Sequence, residues 1–269
     1  MKFLLHLLLF SIASFTVYSQ NKMITRLESV QSVYIETYKD KVRLMSATGF
    51  IIRSKTRNYL VTNYHVVTSK NPWDLSWMDT RMPITPNRIM ILQNGMELGN
   101  HIAKYENLLT STGDTLWHRT KINNEMVDVV ELPLTDTSLT TMYPVDYTLT
   151  TDSILATPTD RVFILGYPLG LKSLSDLPIW KSGYLASEPD LDQEGKPVIW
   201  VDDLPWPGMS GSPVYLISET LHFRNGQNIT YPGSPKTFFM GVFSHGNAAG
   251  VYGALWKGEF LRKIFEKLP

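Results

Sequence analysis

Short apolar runs alternate with polar turns along this chain, and that rhythm predicts its architecture. Ser32 to Tyr38, Leu44 to Arg53, Asn58 to Thr62, Arg88 to Leu92, Thr115 to His118 and Met126 to Leu134 are brief and rich in β-branched or aromatic residues. After Pro144 come Arg161 to Gly166, Ile179 to Ser187, Pro197 to Asp202, Pro213 to Ser218, Thr237 to Ser244 and Val251 to Trp256. Turns rich in Gly, Pro, Asn and Asp separate them, and strand never alternates with helix. The pattern predicts an all-β protein, built as antiparallel barrels or a sandwich. Only the end reads as helix, over about 257–268. There Phe260, Leu261, Ile264, Phe265 and Leu268 recur at helical spacing between charged residues. No internal repeat, low-complexity linker or charge block interrupts the chain.

The first residues carry a different message. Lys2 precedes a mostly apolar run from Phe3 to Phe10, and a small-residue zone ends near Val17 and Ser19. Residues 1–19 therefore read as a secretory signal peptide, cut after Ser19. The apolar run is too short for a membrane anchor, and no other stretch is long enough to span a bilayer. There is no cysteine to carry a lipid at the cut. The expected product is secreted or periplasmic, with no membrane anchor once the signal is gone. Roughly 250 residues would remain, enough for one large or two small packed units. Formal net charge +0 and 43% hydrophobic residues argue against a nucleic-acid or membrane-surface binder. Zero cysteines excludes disulfide stapling, thiol catalysis and thiolate metal sites. No cofactor is called for.

Three local patterns suggest chemistry. Pro207-Gly208-Met209-Ser210-Gly211-Ser212-Pro213 sets a serine between glycines, just before the apolar run Val214 to Ile217. Such glycines let the backbone turn N–H groups outward, toward a developing oxyanion. Most Gly/Ser/Pro clusters are only turns, so the heptad alone decides nothing. His65 follows the strand-like Tyr59 to Thr62 and precedes Val66-Val67; a lone histidine there is more often structural. Asp128 lies inside the apolar run Val127 to Leu132, where a carboxylate is costly to bury without a donor such as an imidazole N–H. A solvated strand-end carboxylate fits that position equally well. Together, an exposed-loop serine, a strand-end histidine and a half-buried aspartate are the three parts of nucleophilic acyl transfer.

With these residues in view, the chain resembles chymotrypsin-like (trypsin-like) serine peptidases. The likeness is to the cysteine-free bacterial branch that includes Deg-type and glutamyl endopeptidases. Thr62-Asn63-Tyr64-His65-Val66-Val67, Asp128-Val129-Val130-Glu131-Leu132 and Gly208-Met209-Ser210-Gly211-Ser212-Pro213 carry the resemblance, in the order His, Asp, Ser. Leu165-Gly166-Tyr167-Pro168-Leu169-Gly170-Leu171 is similar to a loop early in the second barrel of Deg-type members. The resemblance implies two antiparallel six-stranded β-barrels, about 25–140 and 141–256, with a C-terminal helix and a cleft between the barrels. It implies His65, Asp128 and Ser210 as the catalytic residues of an exported serine endopeptidase working through an acyl-enzyme. Gly208 and Ser210 would supply the oxyanion-hole N–H groups, and a protein or peptide substrate would pair with the strand edge at Ser244, His245 and Gly246. Leu204, six residues before the nucleophile, would form the specificity-pocket floor and favour uncharged, mainly apolar side chains. A one-residue shift would put Asp203 there instead, and His245 is near the place from which glutamyl endopeptidases read an acid.

Two departures stand out. Met209 occupies a position that is acidic in the animal digestive enzymes, so a freshly cut N-terminus would have no carboxylate to pair with. With the sequence running to Pro269, the peptide-binding domain usual in Deg-type members is not expected here. Two other functions compete with this one. A catalytically idle binding protein on the same fold would be favoured by a missing triad member, and none is missing. An α/β-hydrolase esterase is disfavoured, because its Gly-x-Ser-x-Gly elbow would require glycine where Ser212 stands. His101, His118 and His222 have no metal-ligand spacing and read as surface or structural, and Asn228-Ile229-Thr230 matches a glycosylation sequon.

Overall fold

A computed structural model describes residues 26–97, 99–122, 125–246 and 251–269; the export signal read over 1–19 lies outside them. A helical turn, α1 (Glu28–Gln31), leads into β1 (Ser32–Lys39), β2 (Val42–Arg53) and β3 (Asn58–Thr62). The short helix α2 (Tyr64–Thr68) follows, then β4 (Arg88–Asn94), β5 (His101–Asn107), β6 (His118–Ile122) and β7 (Glu125–Pro133). All seven strands form one antiparallel sheet, ordered β5-β4-β1-β2-β3-β7-β6.

The second half holds β8 (Arg161–Gly166), β9 (Ile179–Leu185), β10 (Val198–Asp202) and β11 (Pro213–Ser218). A small ribbon of β12 (Thr220–His222) and β13 (Asn228–Thr230) follows, then β14 (Lys236–Gly246), β15 (Gly253–Lys257) and the helix α3 (Gly258–Phe265). Six of these strands close into a barrel, β10-β15-β14-β11-β8-β9. The all-β architecture and the C-terminal helix match the reading of the sequence. The first unit differs in having seven strands in its sheet where six were expected. The run Thr115 to His118 is not a strand: Thr115 makes an isolated bridge to Leu109, and β6 starts at His118.

Burial explains why some strands read as unbroken apolar runs. Ile51, Leu60, Val130 and Leu132 point into the core of the first sheet with Ile35, Ile89 and Ile91. Their neighbours Phe50, Ile52, Tyr59, Val61, Val127 and Val129 point the other way, into a second core. That core is shared with Leu165, Tyr215, Val242 and Trp256 of the barrel and with Leu261 and Phe265 of α3. Strands covered on both faces lose the polar alternation of a half-exposed sheet. The barrel interior is a third core, with Val162, Ile164, Val201, Val214 and Leu255. Each fully buried side chain of this kind stabilises by about 1.5–3 kcal/mol. The shared core is what docks α3 and holds the halves together without disulfides.

Candidate active site

The first sheet presents the histidine and the aspartate. Strand β3 stops at Asn63, whose extended backbone (φ −87°, ψ 153°) turns the chain into α2. Asn63 Nδ2 donates to the Asp128 carbonyl at 2.6 Å, tying this corner to β7. His65 in the first turn thereby faces the Asp128 side chain. The carboxylate is fully buried and well supplied with donors. Oδ1 accepts the His65 backbone N–H at 3.1 Å, while Oδ2 lies 2.8 Å from His65 Nδ1 and accepts Ser244 Oγ–H at 2.6 Å. A carboxylate partner places the imidazole proton on Nδ1 and leaves Nε2 as an acceptor. Nε2 stands 2.8 Å from Ser210 Oγ. The chain Ser244–Asp128–His65–Ser210 is thus continuous, and it crosses from the barrel to the sheet and back.

Arg119 on β6 lies near this group. Its guanidinium lies 3.4 Å from the Tyr64 ring centroid and donates to the carbonyls of Val127 (3.1 Å) and Pro72 (3.1 Å). Burial pushes its pKa down, opposed by the Tyr64 and Asp128 charges, so the cation sits in the field of the buried carboxylate.

Ser210 is held by a tight loop gripped from the opposite half. Met209 N–H donates to the Trp206 carbonyl at 3.1 Å, closing a turn with Gly208 in third place at φ +92°. Positive φ at that place is the type II turn requirement, met by glycine without strain. Among the described residues, the N–H groups of Gly208 and Ser210 donate to no protein acceptor, which leaves them for a ligand oxygen. Thr48 of β2 clamps the loop: its N–H donates to Ser210 O (3.0 Å) and its Oγ–H to Gly208 O (2.7 Å). Thr48 Oγ1 also accepts Tyr167 N–H at 3.0 Å, and Thr62 Oγ–H donates to Thr48 O at 2.8 Å. Gly211, at φ +86°, comes so near that a Cβ there would lie 2.1 Å from Thr48 O. The Leu165-to-Leu171 loop supports the other side, with Leu169 N–H on Pro207 O at 2.6 Å. Met209 is fully buried in the barrel core.

Of the residues proposed to bind substrate, Ser244 spends its hydroxyl on Asp128, and its carbonyl lies 3.2 Å from Ser210 Oγ. The backbone at His245 and Gly246 continues β14; their side chains lie outside those described. Leu204 is 59% exposed, and its carbonyl accepts Lys181 Nζ at 2.8 Å. Lys181 Nζ also sits 2.7 Å from an Asp203 carboxylate oxygen, so Asp203 already has its counter-charge. Two cavities flank the imidazole. One of about 410 Å³ is lined by His65, Asp128, Trp73, Trp200 and Tyr252, the other, about 570 Å³, by His65, Ser210, Gly208, Met45 and Met82. Among the described residues no group of three or more His, Cys, Asp or Glu is placed to hold a metal. His101, its pKa lowered by burial, lies 4.0 Å from Asp176, and His222 pairs with Asn228. The clamp by Thr48 and Thr62, the Ser244 hydroxyl on Asp128 and the nearness of Arg119 were not read from the sequence. Thr48, Thr62 and Ser244 leave only the trace of a polar residue in a strand that is otherwise largely apolar, and Arg119, on the mostly polar β6, leaves none.

This arrangement of sheet, barrel and aligned Asp, His and Ser side chains belongs to a defined class. The chain is a member of the trypsin-like peptidase domain family, whose sequence model matches residues 47–221. Comparison with curated proteins finds no match. Among solved structures, it is similar to a serine endoprotease from Yersinia pestis (14% identity, 91% of this chain and 67% of that one, TM-score 0.47). It is similar also to AL20, a thermostable serine protease from an extremophilic microorganism (12% identity, 90% and 97% covered, TM-score 0.48). A Glu endopeptidase in complex with MPD is a third (16% identity, 91% and 95% covered, TM-score 0.46).

Proposed function

We propose that this protein is an exported serine endopeptidase that cuts peptide bonds through an acyl-enzyme formed on Ser210. The supporting observation is the aligned chain in which His65 Nε2 stands 2.8 Å from Ser210 Oγ and Nδ1 2.8 Å from the buried Asp128 carboxylate. Ser210 Oγ attacks the carbonyl carbon of the scissile bond while His65 Nε2 takes its proton. Asp128 holds the imidazole in the tautomer that can accept and offsets the charge that then forms. The carbonyl oxygen becomes an anion and meets the free N–H groups of Gly208 and Ser210, a pair in which one lost donor costs about 10²–10³ in rate. Collapse breaks the C–N bond, and His65 returns its proton to the leaving amine. Water then attacks the ester by the same relay in reverse order and frees Ser210. An extended substrate would add to the end of β14 at Ser244, His245 and Gly246, bonding through its backbone. Export rests on the pattern of residues 1–19.

The deciding experiment is fluorophosphonate labelling of the purified protein with the adduct mapped, alongside Ser210→Ala. Labelling at Ser210, and loss of both labelling and peptide hydrolysis in a folded Ser210→Ala protein, is the expected result. Adduct on another serine, or undiminished turnover in the variant, would remove Ser210 from the mechanism.

A further inference from the structure

Met78 lines both cavities that flank His65. The larger, which contains Ser210 and Gly208, runs past Met45 and Ala47 of β2 to Met82 and Ile84, on the side of the nucleophile away from β14. Its outer wall is the segment joining α2 to β4, and that wall is stitched to itself. Asn71 N–H donates to Ser76 O (2.8 Å), Met78 N–H to Ser69 O (3.0 Å) and Met82 N–H to Asp79 O (3.1 Å). The side chains of Asp74 and Asp79 accept the N–H groups of Ser76 and Arg81, each at 2.9 Å. Its charges also cancel, because Arg81 donates through Nε and one terminal nitrogen to both Asp79 oxygens at 3.0 Å. What the wall offers the groove is apolar: Met78 and Met82 are 52% and 36% exposed, thioethers left in water beside a nucleophile.

We propose that this groove receives the leaving-group side of the substrate, and that Met45, Met78 and Met82 select a large uncharged apolar side chain immediately after the cut bond. The inference rests on the serine endopeptidase reading, in which the acyl side pairs with β14 and the departing amine exits on the opposite side of Ser210. Methionine is unbranched and polarisable, so such a wall fits leucine, methionine or phenylalanine alike and discriminates by size and charge. A charged side chain would lose water there and find the one nearby ion pair already satisfied.

The test exploits the reverse of the leaving step. The acyl-enzyme is formed on the full chain from an ester substrate, which leaves the groove empty, and is then offered amino-acid amides in competition with water. The amine nitrogen attacks the acyl carbonyl and gives up a proton to His65, and Ser210 Oγ departs carrying a proton from the same imidazole. Leucinamide and phenylalaninamide should capture the acyl group about tenfold more efficiently than glycinamide, while aspartic acid and lysine amides should not exceed it. In the Met78→Ser/Met82→Ser protein the leucinamide-to-glycinamide ratio should fall to within about twofold of one. A single Met82→Lys change should raise capture of the aspartic acid amide, a gain that misfolding cannot imitate. Equal capture of all amides by the native protein, or a ratio unchanged by the double substitution, would overturn the proposal. Failure to form any acyl-enzyme would instead overturn the peptidase reading beneath it.

Discussion

Glu131, three residues beyond Asp128 on β7, should make the fold less stable as pH rises, and replacing it with glutamine should remove that loss. The side chain is 1% exposed, and among the described residues its Oε2 has no hydrogen-bond partner. Val61 on β3 and His118 on β6 are its cross-strand neighbours, and the Glu131 charge is felt by Tyr59 on β3. Burial pushes the carboxyl up from 4.5 to about 8, opposed only by a backbone hydrogen bond. The folded protein therefore holds this proton between pH 4.5 and about 8, where the unfolded chain has released it. Stability is fully present below 4.5 and drains away as pH climbs through the folded value. A rise of that size, at about 1.36 kcal/mol per unit, caps the loss at about 5 kcal/mol. Water entering the site on ionisation would bring it to a few kcal/mol.

Glutamine keeps the shape and cannot ionise, but its amide adds donors without partners at a cost of about 1–3 kcal/mol. Glu131→Gln should thus be less stable than the native protein by about 1–3 kcal/mol at pH 5, and the difference should move by a few kcal/mol in the variant's favour between pH 5 and pH 9. Urea denaturation of both proteins at the two pH values reads this directly. His118 packs on Tyr59, so the comparison is repeated in a His118→Gln background to keep that ring out of the difference. Parallel pH dependence of the native and Glu131→Gln proteins would refute the reasoning, since the carboxyl would then ionise equally in both states.

Asp128→Asn should keep the fold and lower kcat by about 10⁴, because an amide facing His65 Nδ1 favours the wrong tautomer; steady-state kinetics with circular dichroism checks both halves. Ser244→Ala withdraws the 2.6 Å donor from the buried Asp128 carboxylate. A hydrogen bond to a charged group contributes about 1.5–3 kcal/mol, so labelling at Ser210 should slow by about 10- to 100-fold, with partial rescue by Ser244→Thr. Gly211→Ala should destabilise by about 2 kcal/mol or more, since both its φ of +86° and the approach of Thr48 O forbid a Cβ; thermal unfolding and loss of fluorophosphonate reactivity test it together.

How much of this could be read beforehand depended on what each residue's signal was made of. Strands β3, β8 and β11 have the predicted limits, because each is an apolar run ended by turn-forming residues. Strand β5, His101-Ile102-Ala103-Lys104-Tyr105-Glu106-Asn107, gives no clear pattern because it is an edge strand in which every side chain but Glu106 is exposed or only partly buried. Polar residues are tolerated there, so periodicity fades. Ser210, His65 and Asp128, which the fold lines up in one hydrogen-bonded row, stand in motifs local in sequence, which the backbone of a turn or strand end dictates. Thr48 could not be recognised that way. Its bond to Gly208 spans 160 residues, and nothing in the local pattern of β2 distinguishes a threonine that bonds across a domain junction from one that fills a strand. Ser244 drew attention only as part of a strand edge, and nothing in the local sequence indicates that its hydroxyl reaches inward to Asp128.

These long-range bonds determine what kind of object the site is. His65 and Asp128 ride on the first sheet and Ser210 on the barrel, so a rigid shift between the halves of a fraction of an ångström would open the 2.8 Å contact of Nε2 with Oγ. The shared core resists such a shift in bulk, but apolar packing is non-directional and does not set register at that scale. Directional bonds do, and they cluster here. Thr48 bonds the residues on both sides of Met209, and Ser244 reaches back from the barrel to the carboxylate that orients the imidazole. The two halves are therefore aligned by the same residues that hold His65, Asp128 and Ser210 in line, and on the proposed mechanism loosening the junction should weaken activity before it unfolds the protein.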